Sequence, residues 1–362
     1  MFYYRIADVT LQSCVSLPDF ALFACDPAEA DITLEKTREQ PLPGKELVSK
    51  SVVHRVTADG WFFHTRHTER QGVYVSRDYR RLRMLGEEEP AFIGTVEWFV
   101  RSAMECMLAG RGFVTLHSAA VEVNGEAVAF SGPSGIGKST RAGAWMDALG
   151  AELINGDRPL IDVNNLEVYG VPWDGKEKCY RNVHYPLKAI CEVRRSDSAY
   201  IREMGFMQRR KLLMRQCFMP MWDTETAAVQ MANIVRLAAG ANIVRVFSGP
   251  GKEDARALYG ALENHQTLKE EPDMKAKSGF ILRHVVDEYI LMPTGDNIGK
   301  FNGTVLLNEV SALVWDKLQN PISREDLLKA VVSEFEVDKA VASADLDALL
   351  ETLRGYGVIE ND

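Results

Sequence analysis

Residues 132–139 read Gly132-Pro133-Ser134-Gly135-Ile136-Gly137-Lys138-Ser139, a complete G-x-x-x-x-G-K-S run. It follows the apolar stretch Ala127-Val-Ala-Phe130 and opens into Thr140-Arg-Ala-Gly-Ala-Trp-Met-Asp-Ala-Leu149. A strand, a glycine-rich loop and a helix are expected in that order. The glycines let successive backbone N–H groups turn inward around a phosphate. The helix N-terminus adds partial positive charge, and Lys138 adds a full one. Gly132 through Thr140 are therefore expected to bind a nucleotide, with Lys138 on the β- and γ-phosphates and Ser139 on Mg²⁺.

Upstream, Asn124-Gly125 between Phe113–Val123 and Glu126–Phe130 is a strong hairpin signal, and His117 falls within the first of these strands. Downstream, Glu152-Leu-Ile-Asn-Gly-Asp157-Arg-Pro-Leu-Ile-Asp-Val163 predicts strand, turn, strand. The first of them is expected beside the loop strand, bringing Asp157 to the metal and the γ-phosphate. A plain turn aspartate is the alternative. Pro172-Trp173-Asp174-Gly175-Lys176 is a loop that either closes over the nucleotide, with Lys176 on the transferring group, or is an ordinary surface turn. Arg158 is either an electrophilic partner or an ion pair for Asp157. Helices are expected over Glu203–Cys217 and Thr224–Ala238, a strand over Asn242–Phe247 and a helix over Glu253–Glu263. The basic run Gln208-Arg-Arg-Lys-Leu-Leu-Met-Arg215 reads first as a solvated helix face, second as a site for an acidic peptide.

The loop, the strand carrying Leu116-His117-Ser118, and Leu153-Ile-Asn-Gly-Asp157 resemble the catalytic core of HPr kinase/phosphorylase. The related ATP-dependent phosphoenolpyruvate carboxykinase has a similar loop and acid. The resemblance covers roughly residues 112–200 and implies transfer from ATP, with Mg²⁺, to a serine hydroxyl. It also implies that Lys138, Asp157 and His117 are catalytic, with Asp157 sharing the metal with Ser139 or acting as the acceptor's base. The family carries an Asp-Asp pair after the loop helix, and the first of the two is linked to proton transfer from the serine. Here Gly156 stands in that first position. His117 then either sets the charge of Asp157, takes the acceptor proton, or is a packed strand histidine.

Residues 1–95 read as short β-strands, including Phe2–Ile6, Ser51–Thr57, Gly60–Thr65 and Gly72–Ser76. His54, His64 and His67 lack the converging ligands a metal site needs and are read as structural. A helix over Gly94–Ala109, ended by Gly110, leads into residues 96–263, the nucleotide-binding domain. Residues 264–277 are polar and patternless, a linker. Residues 278–362 give three strands and three helices, a winged-helix-like unit, with Ser323 and Ser343 as helix N-caps. Tyr289-Ile-Leu-Met-Pro and Leu307-Asn308-Glu309-Val310-Ser311-Ala312-Leu313-Val314-Trp315 resemble the PqqD-like family. That resemblance implies recognition of a ribosomally made, modified precursor peptide, which adds as a strand beside the sheet.

The fold class expected is thus an α/β phosphate-loop core of the HPr kinase type between a β-rich N-terminal domain and a PqqD-type winged helix. A net charge of −9 argues against nucleic acid as the main partner. Six scattered cysteines, no signal-peptide start and no membrane-length apolar run point to a cytoplasmic protein without membrane contact. A homo-oligomer is compatible with all of this. The expected activity is ATP- and Mg²⁺-dependent phosphorylation of a Ser or Thr hydroxyl on a recruited precursor peptide. A non-catalytic nucleotide-binding regulator and a small-molecule kinase are the alternatives.

Overall fold

The apolar run ahead of the loop alternates between two cores. In the computed structural model, Ala127 and Ala129 join Leu213, Ile234 and Leu237. Val128 and Phe130 join Trp145, Leu258 and Ala261. Successive strand side chains point to opposite faces, so this strand is buried on both sides and helices cover both faces of its sheet. The structure describes residues 1–49, 52–67, 70–173, 179–196, 199–264, 274–285, 288–298, 301, 305–335 and 337–361. They fall into two units, Met1–Leu268 and Lys269–Asp362.

The first unit opens with an eight-stranded sheet: β1 (Phe2–Ile6), β2 (Val9–Ser13), β3 (Ile32–Lys36), β4 (Glu46–Ser49), β5 (Val52–Val56), β6 (Gly60–Thr65), β7 (Gly72–Ser76) and β8 (Arg81–Leu85). Their order is β1-β2-β3-β8-β7-β6-β5-β4. Helix α1 (Pro90–Gly110) closes one face with Phe92, Val96, Phe99, Val100 and Met104. It starts before Gly94, because Pro90 supplies a first turn with φ already set. It also runs through Gly110, the left-handed turn falling at Gly112, where φ is 91°.

The second sheet holds β9 (Phe113–Thr115), β10 (Ser118–Val123), β11 (Glu126–Ser131), β12 (Glu152–Asn155), β13 (Leu160–Asp162), β14 (Glu167–Tyr169), β15 (His184–Arg195), β16 (Tyr200–Glu203) and β17 (Ile243–Ser248). Its path is β12-β10-β11-β15-β14-β13-β9, with β17 between β15 and β16. Helices α2 (Lys138–Leu149) and α5 (Lys252–Asn264) cover one face, and α3 (Phe206–Gln216) and α4 (Thr224–Gly240) the other. The expected Asn124-Gly125 hairpin is present, with φ of 52° and 82°.

Three expectations change here. β12 pairs with β10 and not with the loop strand β11, because the hairpin already occupies that edge. Phe113–Val123 is two strands in different parts of the sheet, broken at Leu116-His117. Glu203, expected to open a helix, instead ends strand β16, which pairs with β17, and the helix starts at Phe206.

The second unit contains β18 (Met274–Ala276), β19 (Phe280–Val285), β20 (Glu288–Pro293), β21 (Val305–Leu307), α6 (Glu309–Lys317), α7 (Arg324–Phe335), α8 (Lys339–Gly355) and β22 (Ile359–Asn361). β19, β20 and β21 form one antiparallel sheet in that order, and β18 pairs with β22. Met274–Ala276, read as linker from its polarity, is thus a strand whose partner lies at the other end of the domain; residues 265–273 of the linker lie outside the described residues. The N-cap of α8 is Asp338, whose carboxylate accepts from the N–H groups of Ala340 and Val341. Ser343 sits inside the helix, where its hydroxyl accepts from Arg324. Among the described residues no helix is long and apolar enough to cross a membrane.

Candidate functional site

The loop leaves β11 at Ser131 and enters α2 at Lys138. Gly132, Gly135 and Gly137 take φ of 146°, 77° and 105°, where a side chain is strained and glycine is not. A Cβ on Gly137 would lie 2.8 Å from Nη1 of Arg141. The N–H groups of Gly135, Gly137, Lys138, Ser139 and Thr140 donate to no acceptor among the described residues. A helix start leaves such donors over. Ser139 and Thr140 are exposed. Lys138 is buried, its ammonium bonded to the carbonyls of Gly132 at 3.2 Å and Pro133 at 3.4 Å. Burial pushes the Lys138 pKa down, Asp157 opposes that, and Arg158 adds to it.

The break between β9 and β10 delivers His117 to the same place. Leu116 N–H donates to Pro159 O at 3.1 Å and Ser118 N–H to Asp157 O at 2.9 Å, stitching the break to the turn after β12. His117 Nε2 then lies 3.2 Å from Asp157 Oδ1, and Arg158 Nε lies 3.3 Å from Oδ2. The hydrogen bond from His117 holds the Asp157 carboxyl below the usual carboxylate range; burial opposes it, and Arg158 and Arg101 of α1 add positive potential. Asp157 is therefore an anion at neutral pH. Arg158 forms an ion pair with Asp157 and lies within electrostatic reach of Lys138.

The site residues Lys138, Asp157 and His117 thus come together, with Arg158 beside them. Lys176, Asp174 and Gly175 lie outside the described residues.

Four further residues, with no assigned part in the sequence reading, hold this arrangement: Asn155, Gln216, Arg141 and Arg195. Asn155 is fully buried; its Oδ1 accepts from Asp157 N–H at 3.0 Å and Arg158 N–H at 2.7 Å, and its amide donates to Val171 O. An Asn two residues before an acid in a turn is the signal for this Asx arrangement. Gln216, at the end of α3, accepts His117 N–H at 2.8 Å on its carbonyl and meets His117 Nδ1 at 3.2 Å through Oε1. The ring is thus held between two oxygens, Gln216 Oε1 at Nδ1 and Asp157 Oδ1 at Nε2. Arg141 is buried in the first turn of α2 and donates to Ile136 O, Gly137 O, Arg194 O, and the hydroxyl and carbonyl of Ser248. It ties the loop to the ends of β15 and β17. Arg195 adds a bond to Gly135 O at 2.9 Å.

His54, His64 and His67 do none of this. His54 is stacked on Trp222 at 4.3 Å and edge-on to Phe63 at 4.6 Å. His64 stacks on Phe62 and bonds Thr65 O, while His67 is exposed.

Near the other end of the chain, residues 288–359 match the family model described as coenzyme PQQ synthesis protein D (PqqD). That span runs from β20 into β22, so a PqqD-like domain lies near the C-terminus. The solved structure of TbiB1 in complex with the TbiA(beta) leader peptide is similar to 24% of this chain and 94% of that one, at 22% identity and a TM-score of 0.21. No curated protein matches the chain.

Proposed function

We propose that this protein is an ATP- and Mg²⁺-dependent kinase of the HPr kinase type, which phosphorylates a Ser or Thr hydroxyl of a ribosomally made precursor peptide. Residues 96–263 would bind the nucleotide and residues 278–362 the peptide. The observation that carries this reading is the meeting of Lys138, Asp157 and His117 at the mouth of a loop whose N–H groups are unspent.

The residues fit both cofactors. Open N–H donors and a buried ammonium bonded only to carbonyls suit a triphosphate. Among the described residues no cluster of three or more His, Cys, Asp or Glu side chains is arranged to hold a metal. A metal here would rest on Ser139, Asp157 and phosphate oxygens, the manner in which Mg²⁺ is commonly held. When bound it would offset charge on the phosphates. Lys138 binds the β- and γ-phosphates, and Arg158 adds positive charge beside the transferring group. Phosphoryl transfer depends mostly on positioning and charge, so the missing first acid at Gly156 leaves the acceptor proton to Asp157 or His117 without removing the main source of rate. The PqqD-like match supports recruitment of a peptide, and β19 and β21 each keep an unpaired edge among the described residues where a strand can add.

Gly156 favours a second reading, a nucleotide-binding regulator of a peptide-modifying complex. The two separate on transfer of label from γ-³²P ATP to the precursor peptide encoded beside the gene. The kinase reading expects label with wild type and none with Lys138→Ala. It is wrong if both proteins bind ATP and both leave every Ser and Thr of the peptide unlabelled.

A further inference from the structure

Helix α3 presents an unusual face. Leu212 and Leu213 are buried in the core under the sheet, Arg209 is tied to Met204 O and Ala241 O, and Gln208 caps Gly205. Besides the exposed Phe206, what remains is a stripe at helical spacing: Met207, Arg210, Lys211, Met214 and Arg215. Met207 and Met214 are 55% and 44% exposed. Among the described residues none of its three cations has an ion-pair partner, and the stripe contains no acid. In a chain of net charge −9 this is a strong local reversal of sign.

Its position gives it meaning. The helix ends at Gln216, which bonds both the backbone and the ring of His117. Arg215, the last residue of the stripe, immediately precedes Gln216, and the stripe runs back along the outer face of the helix from there for about 12 Å, at 1.5 Å per residue. About four extended residues span that length. From this geometry we infer that α3 is the docking surface for the acceptor segment itself, an acidic stretch with interleaved apolar residues, within a few positions of the hydroxyl. Methionines adapt to varied apolar side chains, and the cations select carboxylates. The occupant's identity as an acceptor rests on the kinase reading; its acidic, apolar chemistry rests on the stripe alone.

The test uses the full chain and short fluorescent peptides with a central serine, flanked by Glu and Leu, by Gln and Leu, or by Lys and Leu. Anisotropy is read without nucleotide, and γ-³²P transfer is read separately. Wild type is expected to prefer the Glu peptide to the Gln peptide by about tenfold. The triple variant Arg210→Glu, Lys211→Glu, Arg215→Glu is expected to reverse the order and favour the Lys peptide, a gain that a misfolded protein cannot show. Equal binding of all three peptides by wild type overturns the inference, as does an acidic preference that survives in the variant. So does tight binding to phosphatidylglycerol vesicles or single-stranded RNA with no effect of peptide charge, or a dimer that the glutamates dissolve. If the preference reverses but the full precursor is never labelled, the docking surface stands and the kinase reading falls.

Discussion

At the scale of single residues, Asp157 gathers most of the site's electrostatics. Its carboxyl is held below the usual range by His117 first and by Arg158 second, against burial. Its folded-state pKa lies under the unfolded one. The stability it contributes is present above about pH 4 and lost as pH falls through the folded value. Asp157→Asn is expected to remove that part of the acid sensitivity and to lower phosphoryl transfer about a hundredfold or more, read as kcat with ATP saturating. His117→Phe is expected to move the Asp157 titration back up, visible in the carboxyl carbon shift by NMR. His54 has the opposite character, a histidine kept neutral by burial, with its pKa pushed from 6.5 down to about 4. Unfolded chains bind a proton there below pH 6.5 and the native state does not, so stability falls between pH 6.5 and 4 and is unaffected above. The loss is about 3 kcal/mol at most, and His54→Phe should flatten it in urea melts at pH 7.5 and pH 5.

At the scale of elements, α2 is anchored by its own first turn. The Arg141 guanidinium bonds carbonyls on the loop and on two strand ends, so the loop's shape depends on a cation held by the protein's own oxygens. Arg141→Met leaves those carbonyls without a donor and is expected to weaken nucleotide binding about tenfold, measured with a fluorescent ATP analogue, and to lower the melting temperature. Arg141→Lys should recover part of each, since it restores one donor of the fork. How far such features were legible depended on how local they are. The strand–loop–helix order around residues 132–139 and the Asn124-Gly125 hairpin are each written in consecutive residues, and the structure has both. The break at Leu116-His117 was not, because it arises from pairing with Pro159 and Asp157 rather than from any glycine or proline of its own. Gln216 reaches His117 across 99 positions, and no local pattern announces that. The same holds for β12, whose neighbour is decided by which edge the hairpin leaves open, and for Met274–Ala276, whose partner is the last strand of the chain.

At the scale of the whole molecule, the two units each have a core of their own: Trp315, Leu327, Leu346 and Leu350 belong to the second, and none of the first unit's three clusters includes them. Met1–Leu268 is therefore expected to fold when the chain is cut after Leu268, a position that leaves the β18–β22 pair wholly on the other piece. If the second unit holds the leader of a precursor, the acceptor segment is tethered near Lys138 at an effective concentration of about a millimolar. Removing the unit takes away that concentration and leaves the catalytic groups in place. The expected result is a KM for full-length precursor raised about a hundredfold, with kcat nearly unchanged. A peptide lacking its leader should be phosphorylated equally slowly by the whole chain and by the truncated one. A small-molecule kinase behaves otherwise: it keeps both constants for its own substrate after the cut, and leader peptide added in trans leaves its rate unmoved. A fall in kcat with KM unchanged would instead mean that the second unit acts on the transfer step, and that tethering is not its role.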